Sequence, residues 1–181
     1  MRTRRATADD AAAIASIYAP YVRDSVVSFE TQAPDEAEMR GRIAALGDLH
    51  PWLVACDDDG AMLGYAYGSA FRTRPAYRFT VETTVYVGEG AHRRGIGTQL
   101  YRTLLGLLEA QGYTQAIGAI TIPNAASIRL HEALGFVRAG TYEKVGFKLG
   151  EWRSVGLWQR PLAPMAARPD EPMPVTAVWK P

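Results

Sequence analysis

The sequence has few of the features that mark several large classes of protein. It holds one cysteine, Cys56, among 181 residues, so an intrachain disulfide and a cysteine-based metal cluster are both excluded. No apolar run approaches the length of a membrane span, and the N-terminus, MRTRRATADD, lacks the apolar core of a signal peptide. The chain is therefore predicted to be cytoplasmic, with Cys56 as a small buried residue of a strand.

The chain also lacks an excess of charge of either sign. Its formal net charge is +1, and the arginines occur in local clusters, so nothing indicates an electrostatic binder of nucleic acid or of membranes. Hydrophobic residues make up 48% of the chain and charged residues 22%, as in ordinary globular proteins. A chain of this length and composition is predicted to form one domain with a sizeable core.

The hydrophobic pattern predicts a strand, two helices, a run of strands, then helix, strand, helix and two more strands. The clearest helix is Thr98–Gln111. This order predicts an α+β or mixed α/β domain built on one sheet, over residues 1–162. Prolines crowd residues 163–181, so no regular structure is predicted there, although the apolar segment Val175–Trp179 is expected to pack on the domain or on a partner. The predicted strands are Arg2–Ala6, Trp52–Cys56, Met62–Phe71, Phe79–Val87, Thr114–Ile122, Phe136–Phe147 and Arg153–Gln159.

The most informative stretch is Thr84–Leu100, TVYVGEGAHRRGIGTQL. A strand leads into a turn with Gly95 and Gly97, and a helix opens at once behind it. Glycines let a backbone approach a ligand closely, and the free N–H groups at a helix N-terminus bind anions. The dinucleotide fingerprint lacks its third glycine here, and no Gly-Lys-Ser/Thr of a P-loop is present. The turn is therefore predicted to bind a phosphate or pyrophosphate group.

Several separate segments, in this order, resemble one protein family. They are IYAPYVRDSVVSFE, ETTVYV, RRGIG, LYRTLLGLLEAQGY, IPNAASIRLHEALGF, GFKLGEW and VGLWQ. Together they resemble the GNAT superfamily of acyl-CoA N-acyltransferases and, within it, the phosphinothricin N-acetyltransferase family, from about Arg2 to Leu162. The resemblance implies a central, mostly antiparallel sheet flanked by helices, and a homodimer. It also implies acetyl transfer from acetyl-CoA, by direct attack, to the amino group of phosphinothricin, methionine sulfone or methionine sulfoximine.

The same resemblance implies a coenzyme A site, and no metal is expected. Asn124 is also explained by a helix cap alone. His92 departs from the family, which has Arg or Gln at that position, and its role is left open between a ligand and a loop residue. The residues expected to bind the cofactor are Val85, Tyr86, Val87, Arg93, Arg94, Gly95, Ile96, Gly97, Thr98, Asn124 and Ser127.

Two residues are candidates for acid–base chemistry. Glu82 has apolar neighbours on its strand, and desolvation would raise its pKa to a range that suits a base; the resemblance favours this role over that of a solvent-facing residue. Asn124, Ser127 and His131 form one polar helix stripe. Many GNAT enzymes carry Tyr at the position of His131, as a proton donor to the thiolate. Which of Glu82 and His131 is base or acid is left open.

A zwitterionic acceptor needs groups of both charges. Arg72 and Arg74, in FRTRPAY, are predicted to bind its carboxylate or phosphinate, because guanidinium groups match such anions. Glu30 is predicted to pair with the ammonium group, and Phe29 and Tyr77 to wall the pocket.

Two other functions fit the sequence. The same fold acetylates other amines, such as a protein N-terminus, a polyamine or an aminoglycoside, and a strongly acidic pocket would favour a cationic acceptor. A non-catalytic acyl-CoA-binding module would keep the glycine turn but would not need Glu82 or His131.

Overall fold

A seven-stranded sheet forms the centre of the computed structural model, which describes residues 1–179. The strands lie in the order β1-β2-β3-β4-β5-β7-β6, and neighbours are antiparallel except β4 and β5, which are parallel. The predicted fold class, mixed α/β on one mostly antiparallel sheet, is confirmed. The strands are β1 (Arg2–Arg5), β2 (Trp52–Cys56), β3 (Met62–Ala70), β4 (Thr80–Val87), β5 (Gln115–Ile122), β6 (Val137–Lys148) and β7 (Glu151–Pro161).

Helices cover the sheet through two separate hydrophobic clusters. The larger cluster contains Leu100, Leu104 and Leu108, which repeat every four residues along one helix and are fully buried. The second joins the first two helices to strands β2 and β3. The helices are α1 (Ala11–Arg23), α2 (Glu36–Leu46), α3 (Ile96–Gln111), α4 (Ala125–Ala133) and the short α5 (Val175–Val178).

Strands β4 and β5 stay together over only part of their length. Their pairing runs from Thr80 opposite Gln115 to Glu82 opposite Ile117. Beyond that point β4 continues beside β3 and β5 continues beside β7, so a wedge opens between them. Glu82 is the last residue of β4 before the wedge.

The structure moves the boundaries of two predicted elements by two residues. Helix α3 begins at Ile96, not at Thr98, because Gly95 takes a left-handed conformation (φ 78°) and serves as the N-cap. Ile96 and Gly97 therefore belong to the first helical turn. Strand β7 runs from Glu151 to Pro161, beyond both predicted ends, because it pairs with β5 as far as Pro161 and with β6 as far as Glu151.

The proline-rich tail contains the short helix α5, so the prediction of no regular structure is wrong at residues 175–178. Its Val175 is fully buried, and the Val175 N–H donates to the Asp48 carbonyl at 2.6 Å. Upstream, Met173 and Gln111 exchange two hydrogen bonds of 2.7 Å, one of them through the Gln111 side chain. The expected packing of the apolar segment on the domain is confirmed. The division of the chain at residue 162 stays a prediction.

Three further observations concern the cysteine, membrane-spanning helices and metal-binding groups. Cys56 is buried in β2 as a free thiol, as predicted. Over residues 1–179, no helix combines the length and apolar character needed to cross a membrane. The same residues bring together no group of three or more His, Cys, Asp or Glu side chains that could hold a metal ion.

Candidate active site

Two adjoining cavities occupy the wedge between β4 and β5. The first, of about 450 Å³, is lined by Glu82 and is called here the Glu82 cavity. The second, of about 810 Å³, is lined by the turn that precedes α3 and is called the glycine-turn cavity. The cavities adjoin because they share five lining residues, Val27, Val85, Tyr86, Asn124 and Ser127.

The glycine-turn cavity is built on the N-terminus of α3. Gly95 leaves the first-turn N–H groups of this helix free, and the helix dipole adds partial positive charge there. All but one of the residues predicted to bind the cofactor line this cavity; Arg94 is in the same turn, exposed, but outside the lining. The arrangement suits a pyrophosphate group.

His92 is bonded to neighbouring elements within the protein. Its Nε2 lies 3.0 Å from the Val87 carbonyl and 3.0 Å from the hydroxyl of Tyr21 on α1, which itself donates to Val87 at 2.6 Å. Because a carbonyl oxygen only accepts, Nε2 carries the proton. His92 thus joins the turn to the end of β4 and to α1, a role that its place in the sequence did not indicate.

Helix α4 brings Asn124 and Ser127 to the junction of the cavities. The Asn124 side-chain oxygen accepts from the Ser127 N–H at 3.1 Å, so Asn124 caps the helix. It lines both cavities as well. Asn124 can therefore cap helix α4 and line both cavities at the same time.

Glu82 presents a carboxylate to the cavity that bears its name. We find no hydrogen bond to this carboxylate from residues 1–179. Desolvation by burial raises the pKa of Glu82, and the charge of Arg72 opposes that rise. A half-buried carboxylate with a raised pKa in the lining of a cavity has the properties of a general base.

His131 lines the same cavity and is almost fully buried. Its Nδ1 lies 2.8 Å from the Ser127 carbonyl, and its Nε2 lies 3.1 Å from the Tyr101 hydroxyl. Burial lowers the pKa of His131, and the hydrogen bond with Ser127 works in the opposite direction. The ring is thus held in its neutral form near pH 7.

The loop that carries Phe29 and Glu30 is fixed from several sides. Arg42 donates to both carboxylate oxygens of Glu30, at 2.6 and 2.8 Å, and Tyr18 donates to one of them at 2.8 Å. The Arg42 guanidinium holds the pKa of Glu30 below its usual range, although burial of the carboxylate works in the opposite direction. Lys148, itself buried, donates to the Ser28 carbonyl at 2.6 Å. Glu30 therefore lines the cavity with its negative charge already balanced by Arg42.

The structure brings some of the predicted acceptor residues to the cavity and leaves others outside its lining. Phe29 and Glu30 line it, whereas Arg72, Arg74 and Tyr77 do not. Arg72 is still close enough to influence Glu82 and contacts the Tyr142 hydroxyl at 3.2 Å. Arg72, Arg74 and Tyr77 are all exposed, and the segment forms a 3-10 turn at Pro75–Tyr77.

Four tyrosines of these cavities were missed by sequence reasoning. Tyr18 and Tyr21 have helical spacing, which indicated only a packed apolar stripe, yet their hydroxyls bond Glu30 and Val87. Tyr67 and Tyr101 lie in apolar segments and also line the Glu82 cavity. The available signal was the hydroxyl itself, because a buried tyrosine usually has a hydrogen-bond partner.

The sequence of the chain matches a known protein family. The sequence model of the Acetyltransferase (GNAT) family matches residues 13–136, more than half of the chain. The chain belongs to this family. The GNAT membership predicted from the glycine turn and its neighbouring segments is therefore confirmed, and the wedge between β4 and β5 is the candidate active site of a GNAT protein.

Two named relatives and one solved structure show which members of the GNAT family the chain is similar to. The chain is 46% identical, over 85% of its length and 79% of the relative's, to a phosphinothricin N-acetyltransferase of Alcaligenes faecalis. It is 40% identical to an L-methionine sulfoximine/L-methionine sulfone acetyltransferase of Pseudomonas aeruginosa, over 66% of the chain and 70% of the relative. A crystal structure of a phosphinothricin acetyltransferase from Sinorhizobium meliloti, in complex with AcCoA, superposes with a TM-score of 0.90 at 42% identity, covering 94% and 93% of the two chains.

Proposed function

We propose that the protein transfers the acetyl group of acetyl-CoA to the amino group of phosphinothricin or of a related amino acid such as methionine sulfone or sulfoximine. The observation that carries this proposal is Glu82, a carboxylate with a raised pKa in a cavity that adjoins the glycine-turn cavity. One cavity suits a pyrophosphate and the other a small acceptor. Similarity to acetyltransferases of phosphinothricin and of methionine sulfoximine supports this acceptor class.

The cytoplasmic location stays a prediction.

Acetyl-CoA fits the larger cavity on three grounds. The N-terminus of α3 offers N–H groups to the pyrophosphate, and Arg93 adds positive charge beside it. The edge of β4 beyond Glu82 has no pairing with β5, so an extended pantetheine arm can lie along it as an added strand would. Asn124 and Ser127 stand where that arm would reach the Glu82 cavity.

The proton balance of the reaction assigns roles to both candidate groups. The acceptor ammonium must lose one proton before its nitrogen can attack the thioester carbonyl, and we assign that proton to Glu82. The nitrogen loses a second proton as the amide forms and the carbon–sulfur bond breaks. Neutral His131 takes up this proton and returns it to the departing thiolate, which leaves as a thiol.

The acyl-transfer proposal is tested by product identity. The protein is incubated with acetyl-CoA and L-phosphinothricin, released thiol is titrated, and the product is identified by mass spectrometry. We expect N-acetylphosphinothricin and free coenzyme A in a one-to-one ratio. Thiol release without N-acetylated product would mean hydrolysis and would contradict the proposal.

The two loop arginines are expected to differ in their effect on the acceptor. Arg72→Gln should raise the KM for phosphinothricin roughly 10- to 100-fold, as for the loss of a hydrogen bond to a charged group, because Arg72 lies near Glu82. Arg74→Gln, the matched control in the same loop, should change this KM less than threefold, roughly what an exposed charge contributes. Steady-state kinetics with both substrates varied gives these values. A larger effect at Arg74 than at Arg72 would overturn the assignment.

Other amines fit the Glu82 cavity less well. Its two acidic lining residues are Glu30 and Glu82, and Arg42 already neutralises Glu30. A polyamine or an aminoglycoside would find a single free carboxylate, with Arg72 opposing its charge. A purely binding module would have no use for a carboxylate held in a desolvated place, where its charge costs free energy.

We further propose that the protein is a homodimer through the hairpin of β6 and β7. This hairpin exposes a cluster of large apolar side chains, among them Val145, Phe147 and Trp152, each more than half exposed. Contiguous apolar surface of this kind marks an interface. Phe147→Asp should therefore yield a monomer, whereas Leu49→Asp, at an exposed leucine outside the hairpin, should leave the dimer intact. Light scattering during gel filtration distinguishes the two states, and a wild-type monomer would exclude this interface.

A further inference from the structure

The imidazole of His131 is held at both nitrogens by the protein itself. Nδ1 lies 2.8 Å from the Ser127 carbonyl and Nε2 lies 3.1 Å from the hydroxyl of Tyr101. The Tyr101 hydroxyl also lies 3.0 Å from the Thr83 carbonyl, next to Glu82 along β4. Tyr101, on α3, is almost fully buried and lines the Glu82 cavity, so it stands between His131 and that cavity.

The protons of this chain can be assigned from the partners. The Ser127 carbonyl only accepts, so Nδ1 of His131 carries a hydrogen in every state. In the neutral ring Nε2 is then an acceptor, and the Tyr101 O–H is the donor within reach. When the Tyr101 oxygen accepts a proton from the cavity, the hydrogen that it shares with Nε2 passes to Nε2. Nε2 is then the donor to the Tyr101 oxygen, and the new O–H of Tyr101 can turn to the Thr83 carbonyl. Both protonation states therefore keep a partner for Nε2.

Gly118 on β5 supplies the space that this arrangement needs. A β-carbon at Gly118 would lie 2.6 Å from both Cδ2 and Nε2 of His131, closer than any side chain allows. The ring edge that carries Nε2 thus lies directly on the glycine. The Phe136 ring packs edge-on against the imidazole at a centroid distance of 5.0 Å, which completes the enclosure.

We propose that Tyr101 relays the second nitrogen proton of the acetyl transfer to His131: its hydroxyl holds Nε2 as a proton acceptor, passes the proton to it and stabilises the proton there. This inference rests on the role proposed above for His131. A phenylalanine at position 101 would leave Nε2 without a partner in both protonation states. Because the imidazolium loses the stronger hydrogen bond, uptake of the second nitrogen proton is the step that should suffer.

Kinetics and a mutant cycle test the proposal. We expect Tyr101→Phe to lower kcat roughly 10- to 100-fold, as for a lost hydrogen bond to a charged group, with the KM for acetyl-CoA unchanged. In a His131→Asn background the same substitution should lower kcat no further. The matched control is Tyr113→Phe, because Tyr113 is equally buried and donates to the Leu49 carbonyl at 3.1 Å; its kcat should stay within about twofold of wild type.

A spectroscopic measurement separates this inference from the role of His131 itself. Long-range ¹H–¹⁵N correlation spectra of the three histidines should show Nδ1 of His131 protonated and Nε2 shifted by an accepted hydrogen bond, and Tyr101→Phe should abolish that shift. An equal loss of kcat with and without His131 would reduce Tyr101 to a structural residue and overturn the proposal, as would an unchanged Nε2 signal. Full activity of His131→Asn alone would overturn the proposed proton transfer instead, while the spectra would still report on Tyr101.

Discussion

Glu82→Gln is expected to lower kcat by roughly 10²- to 10⁴-fold, the usual contribution of a general base, while acetyl-CoA binds as before. Glutamine keeps the shape of the side chain but removes its negative charge and its ability to take a proton. Glu82 lines the cavity on the acceptor side and not the glycine-turn cavity, so cofactor affinity should not change. Turnover at saturating substrates and calorimetric titration with acetyl-CoA separate the two quantities. Glu109→Gln, on the exposed face of α3, is the control.

Glu82→Gln should raise the stability of the folded protein, although it lowers kcat. The pKa of Glu82 in the folded protein lies above its ordinary value of 4.5, so the unfolded chain releases this proton more readily than the folded one. Stability is therefore lost as the pH rises from below the unfolded pKa through the folded one. Glutamine removes this loss, and thermal unfolding near pH 7 should show a higher Tm for the inactive variant.

Equal turnover of Glu82→Gln and wild type would exclude Glu82 as the base.

Gly97→Asp is expected to raise the KM for acetyl-CoA by about 100-fold or more. The substitution puts a carboxylate in the first turn of α3, where the pyrophosphate is proposed to bind. Two charges about 4 Å apart near a protein surface repel by roughly 4 kcal/mol before salt screening. Space is short as well, since a β-carbon at Gly97 would lie 3.3 Å from Cδ2 of Leu130.

The same helix offers a matched control for this prediction. Gly106 is exposed, and a β-carbon there would meet no atom within 4 Å. Gly106→Asp makes the same chemical change away from both cavities, so initial rates at varied acetyl-CoA should match wild type. If Gly97→Asp also behaved like wild type, the pyrophosphate would have to bind elsewhere.

The parts of the candidate site that are local in the chain could be proposed from the sequence. The glycine turn, the strand before it and the amphipathic helix after it form one continuous segment, so spacing and residue type defined them. Glu82 and His131 were proposed chiefly through the family resemblance, and the structure brings both to one cavity. The order of helical and strand patterns predicted a mixed α/β domain, and the resemblance implied its mostly antiparallel sheet.

Contacts between distant segments could not be predicted in this way. The pairing of Glu30 with Arg42 depends on how the loop before α2 folds over that helix, and no spacing rule fixes it. The segment Phe71–Tyr77 was assigned to the acceptor pocket from composition, but its backbone direction carries Arg74 and Tyr77 outside the lining. The tail forms helix α5 because Asp48 and Gln111, far away in sequence, satisfy its backbone.

The most direct test of the central claim is the rate of thiol release from acetyl-CoA across a panel of acceptors. The panel consists of phosphinothricin, methionine sulfone, methionine sulfoximine, ordinary amino acids, a polyamine and a peptide, each compared by kcat/KM. An acceptor site with Glu82 as its one free carboxylate and Arg72 nearby predicts the highest values for the first three. A higher kcat/KM for the polyamine or the peptide than for all three would contradict the account.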